Sequence, residues 1–164
     1  MSDYNSMEAF AKALNNAYNG LDKAVEVALR RDVKDLVDKI RLRVSTKGQK
    51  ADGGSFSTPY SRSHAYKRKK YGSGQLAKQV SHKGFFYQGD MWSNFRMLTL
   101  VNSGQRINAS LGFTGNNAYK TNEELNQIHS TREGIPITAA TKEEAVELTR
   151  KIGFAIGEYL KSAL

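Results

Sequence analysis

From Leu21 to about Val44, apolar residues recur every three to four positions: Leu21, Val25, Ala28, Leu29, Val33, Leu36, Val37, Ile40 and Val44. No glycine or proline interrupts the run, and Lys, Arg, Asp and Glu fill the positions between. That period matches the helical repeat, so the segment predicts a long amphipathic helix with one face reserved for a core. Few other sequence features restrict a fold so strongly, because a stripe of this length needs a partner surface of equal length.

Upstream, Met7, Phe10, Leu14 and Ala17 or Tyr18 carry the same spacing, with Asn5 and Ser6 as capping candidates. Asn19-Gly20 reads as a turn or helix break, which makes residues 1–20 a separate helical extension. At the other end of the chain, Thr141-x-x-Glu144 has the form of a capping box. It opens a helix with Ala145, Leu148, Ile152, Ala155 or Ile156, and Tyr159 on one face. Thr121-x-x-Glu124 is a second box, for a short helix through Leu125 and Ile128, and Gly134-Ile135-Pro136 breaks the chain after it.

Between these helices the period changes from 3.6 to 2. Asn94 to Val101 and Arg106 to Phe113 flank Asn102-Ser103-Gly104-Gln105, the pattern of a hairpin. Ile107, Ala109, Leu111 and Phe113 alternate with polar Asn108, Ser110 and Gly112, so one face is expected to be buried and the other wet. A further short strand is expected at Phe85 to Gln88, and Gly115-Asn116-Asn117 makes a turn. Helices at both ends with strands between indicate a single α+β domain over 1–164. In it, the long N-terminal helix and the C-terminal helix pack on a small antiparallel sheet. No internal repeat of 20 to 50 residues is present.

Residues 45–81 do not fit either period. Turn formers crowd the first part, and the second, Ser61 to Gly74, is basic with interleaved tyrosines. The expectation is a long, extended basic arm that gains its order on assembly. Arg62, Tyr66, Lys67, Arg68, Lys69, Lys70 and Tyr71 are its candidate contacts, either to a neighbouring subunit or to a polyanion. The chain as a whole has a net charge of +9, which attracts nucleic acid and acidic protein surfaces alike.

The chemistry that the sequence excludes is as informative. There is no cysteine, so disulfides, thiolate nucleophiles and Cys-based zinc sites are ruled out, and a reducing cytoplasm is the expected place of synthesis. His64, His82 and His129 have no histidine partner at helical spacing, and no metal or cofactor is expected. Nucleophile elbows and phosphate loops are absent. Glu123-Glu124 and Glu143-Glu144 lie in first helical turns, where the helix dipole accounts for them. The start shows no secretory pattern, and no apolar run approaches the roughly 18 residues that a membrane span needs. The expectation is a protein without catalytic residues and without a membrane.

The order of features resembles the virion morphogenesis or tail completion proteins of tailed phages, and more loosely the neck proteins that join head to tail. The similarity runs through Asp52-Gly53, Phe56, Pro59, the basic stretch Lys67 to Lys70, and Gly89-Asp90-Met91-Trp92-Ser93. It continues through the hairpin, Tyr119, Ile128-His129, Gly134-Ile135-Pro136 and the capped final helix from Thr141 to Leu160, covering roughly residues 21–160. This resemblance implies a structural virion protein, assembled in the host cytoplasm. It would form a ring, a hexamer or dodecamer, at the head–tail junction or the top of the tail. Its implied partners are further copies of itself, neighbouring neck, portal or tail proteins, and packaged DNA. The alternative from charge and aromatics is a basic nucleic-acid-binding module.

Overall fold

The computed structural model describes residues 6–56, 60–72, 74–78, 80–81, 90–102, 107–116 and 120–164. Helix α1 (Met7–Leu42) begins at Ser6, whose hydroxyl accepts from the Ala9 amide at 3.1 Å. At about 1.5 Å per residue its 36 residues reach about 54 Å. A π-helical turn (Arg43–Lys47) follows and ends at Gly48, whose φ of 59° suits a residue without a side chain. Helices α2 (Arg62–Tyr71), α3 (Gly74–Lys78) and α4 (Asp90–Ser93) come next. Strands β1 (Phe95–Asn102) and β2 (Ile107–Phe113) form the antiparallel hairpin, and α5 (Asn122–Glu133) and α6 (Lys142–Ala163) complete the α+β fold. Both expected capping boxes are formed, Thr121 with Glu124 and Thr141 with Glu144. The expected strand at Phe85 to Gln88 and the hairpin's Ser103-Gly104-Gln105 lie outside the described residues.

The core sits at the C-terminal end of α1. Leu36, Val37, Ile40 and Val44 meet Phe56, Trp92, Phe95, Phe113 and Ile137 there. Trp92 is fully buried and meets Phe95 and Phe113 edge-on, with ring centroids at 5.6 and 5.4 Å. Such edge-to-face rings add to what their buried area contributes. The tight turn over 48–56 delivers Phe56 to this cluster. Asp52 Oδ1 accepts from the Gly54 amide at 2.9 Å, Gly53 takes a φ of 88°, and the Phe56 amide donates to the Gly48 carbonyl at 2.9 Å.

Three expectations are corrected. Asn19-Gly20 does not break the first helix, which runs through it. Gly20 instead gives room to Tyr159 of α6, whose hydroxyl donates to the Ala17 carbonyl at 3.1 Å; a Cβ at Gly20 would collide with that hydroxyl. The hairpin does not bury one full face. Only Gly112 and Phe113 of β2 are buried, while Asn108, Ala109 and Ser110 are exposed, because the hairpin's far half extends past the core. A bulge between Met97 and Thr99 shifts the register, pairing Met97 with Leu111 but Thr99 with Ser110. Finally, the described parts of 45–81 are not an extended arm. Arg43–Lys47 is a helical turn, Phe56 is core, and Arg62–Tyr71 is a helix.

α6 runs antiparallel along α1, tied by Lys39–Glu147, Arg43–Glu144 and Asp35–Lys151 ion pairs. None of its residues is fully buried. An amphipathic helix with a half-covered apolar face is the local consequence of packing against one neighbour only.

Candidate functional site

Helix α2 holds all seven candidate residues. Ser61 caps it, accepting from the His64 amide, and the Gly72 amide closes it on the Arg68 carbonyl at 2.8 Å. No glycine or proline falls inside Arg62–Tyr71, and the three basic residues Arg68, Lys69 and Lys70 in its last turn suit the negative end of the helix dipole. The helix packs against α3.

Arg68 is the one candidate that structure removes from the exposed set: it is 1% exposed. Its guanidinium lies 4.3 Å from the centre of the Tyr60 ring, and Tyr60 in turn stacks on His64 with ring centroids 5.0 Å apart. A cation on an aromatic face tolerates removal from water better than a bare ammonium does, which explains an arginine at this position. Burial, and then the charges of Arg68 and Lys67, push the His64 imidazole below the ordinary histidine range. A second proton on His64 is therefore disfavoured, which keeps the Tyr60 stack neutral beside the buried guanidinium.

The other candidates are exposed: Arg62, Tyr66, Lys67, Lys69, Lys70 and Tyr71. At 100° per residue, Arg62, Tyr66, Lys67, Lys69 and Lys70 fan over the side of the helix away from Arg68. Lys70 Nζ rests 5.6 Å from the Tyr66 ring centre and 5.2 Å from that of Tyr71. Among the described residues, no carboxylate pairs with Arg62, Lys67, Lys69 or Lys70.

A different kind of surface lies on the helix pair. Met7 is 83% exposed and Tyr18 75%, with Phe10 and Leu14 also open to solvent on the same side of α1. Further along, Gly20, Lys23, Ala24, Val27, Arg31 of α1 and Ala155 of α6 line a shallow apolar groove of about 440 Å³. On α6, Phe154 is 68% exposed, flanked by Gly153 and by Ala155. Sequence periodicity marked Phe10 and Leu14 as one apolar face; it gave no sign that α6 would stop short of covering them.

Among the described residues, no cluster of His, Asp and Glu is arranged to hold a metal ion, and no helix is long and apolar enough to cross a membrane. His82, Pro59 and Tyr119 lie outside the described residues. Carboxylates at the helix starts are engaged locally: Glu124 accepts from Thr121, and Glu144 from both Thr141 and Arg43. Hydrogen bonds from the Thr121 backbone and hydroxyl hold the Glu124 carboxyl below the usual carboxylate range. Compared with protein-family models, with curated proteins and with solved structures, the chain matches none.

Proposed function

We propose that this protein is a structural virion component of a tailed phage. In this reading it forms a ring at the head–tail junction or the top of the tail and connects the head or neck to the tail. It acts by assembly and carries no catalytic residue. The ring is a hexamer or dodecamer, and its further partners are neighbouring neck, portal or tail proteins.

The supporting observation is the apolar surface left open on α1 and α6. Met7, Phe10, Leu14 and Tyr18 form one strip, and the groove lined by Ala24, Val27 and Ala155 forms another. Each large side chain that a neighbour fully covers contributes about 1.5–3 kcal/mol. A ring requires one patch to fit a different patch on the next copy, and the two strips are different patches. The resemblance drawn from Asp52-Gly53 through the Thr141 helix supplies the virion setting.

The mass of the purified protein, measured by light scattering in solution, tests the reading together with images of the particle junction. Expected is a closed oligomer that persists at 0.5 M salt, since its contacts are apolar. A strict monomer in solution and in particles rules the ring out. The second reading, a basic nucleic-acid-binding module, is favoured by one observation, the outward cationic side of α2.

A further inference from the structure

We propose that the outward side of α2 is a binding site for the phosphodiester backbone of a nucleic acid, with Arg62, Lys67, Lys69 and Lys70 as its phosphate contacts. The assignment rests on α2 itself and stands whether or not the chain forms a ring.

The first support is the distribution of charge. Between Asp52 and Asp90 there is no acidic residue, and seven of the chain's lysines and arginines lie there. That stretch carries seven of the nine net positive charges. The second is geometry. A helix holds its side chains at fixed spacing, and Arg62 to Lys70 spans about 12 Å at 1.5 Å per residue. A duplex strand places one phosphate about every 3.4 Å of axis, so three to four phosphates match four cations. The buried Arg68, stacked on Tyr60, turns the opposite side of the helix outward and fixes which cations are presented.

The third support favours a polyphosphate over an acidic protein surface, whose carboxylates have no regular spacing. Four carboxylates on the helix pair already hold cations of their own chain: Glu26 with Arg30, Glu144 with Arg43, Glu147 with Lys39 and Asp35 with Lys151. Nucleic acid brings free anions at regular spacing and releases counterions on binding. Exposed Tyr66 adds a flat ring next to Lys70 on which an unpaired base can stack.

The test is fluorescence anisotropy with the full chain and a labelled 20-base-pair duplex of mixed sequence, from 50 to 200 mM salt. Four phosphate contacts predict a slope of about −3.6 in log K against log salt, which is about a 150-fold loss of affinity over that range. R62Q/K67Q/K69Q/K70Q should abolish the salt-dependent binding, and each single glutamine variant should lower the slope by about one. Circular dichroism reports whether the quadruple variant keeps its helices; if it does not, the single-variant slopes decide. Parallel titrations with single-stranded DNA and with poly-uridine distinguish the source of the phosphates, and tighter binding of single strands that Y66A removes assigns Tyr66 to stacking. The proposal is overturned if the duplex fails to bind at 50 mM salt, or if a folded quadruple variant binds with the original slope. It is equally overturned if poly-glutamate of equal charge binds as tightly as the nucleic acids. A monomer that binds with the expected slope removes the ring and leaves this assignment intact.

Discussion

The two ends of α1 are one continuous helix with the same apolar period, yet they have opposite fates. Around Ile40 the helix lies under Trp92, Phe95, Phe113 and Phe56, and Ile40 and Val44 are completely buried. Around Phe10 the same kind of stripe faces solvent. The pattern of residues decides that a helix has a wet and a dry side; it does not decide whether the dry side is covered by its own chain. Covering depends on where the remaining elements land, and the sheet, the 48–56 turn and Ile137 all land at the C-terminal end.

The contrast is sharpest at Arg43. Its guanidinium donates to both oxygens of Glu144, to the Gln49 carbonyl at 2.8 Å and to the Ala139 carbonyl at 2.6 Å. It therefore joins α1, the 48–56 turn, the segment before α6, and α6 itself. Arg43→Ala would strand Glu144 and two carbonyls, and we expect a loss of about 3–5 kcal/mol in urea unfolding, the range for breaking a buried pair from one side. A loss below about 1 kcal/mol would show that the junction is not what fixes this end.

Ile40→Ala comes next. Truncating a fully enclosed side chain should lower stability by about 3 kcal/mol, through lost transfer energy and a residual cavity. The matching change at the other end, Leu14→Ala, should alter unfolding of the isolated subunit by no more than about 0.5 kcal/mol, as expected for an exposed position. The same variant should reduce the oligomer's mass in light scattering. Equal losses from Ile40→Ala and Leu14→Ala in a monomer would erase the distinction between the two ends. An unchanged mass for Leu14→Ala would move the assembly contact elsewhere.

How much of this was legible in the sequence follows from the range of each interaction. Thr121 with Glu124 and Thr141 with Glu144 could be read because a capping box closes over three residues. The long stripe was legible for the same reason. Gly20 was misread because what it accommodates, Tyr159, is more than a hundred residues away in the chain. Helix α2 was missed because it has no apolar stripe: the residue it buries is Arg68, which any pattern of polar and apolar positions places outside. A local signal did exist in Ser61 followed by ten residues free of glycine and proline. The seven candidate residues fall on one helix, but the sequence could not tell that Arg68 is buried on Tyr60 while Arg62, Lys67, Lys69 and Lys70 face outward.

Glu144 also gives the protein an unusual mechanical linkage. One carboxylate receives the Thr141 amide that starts α6 and, at the same time, the Arg43 side chain that ends the straight part of α1. Helix ends ordinarily fray one at a time, but these two share a fastening, so loosening either releases both. Amide exchange in the first turn of α6 should keep pace with exchange near Val44, so the finish of one helix and the start of the other open as a single unit.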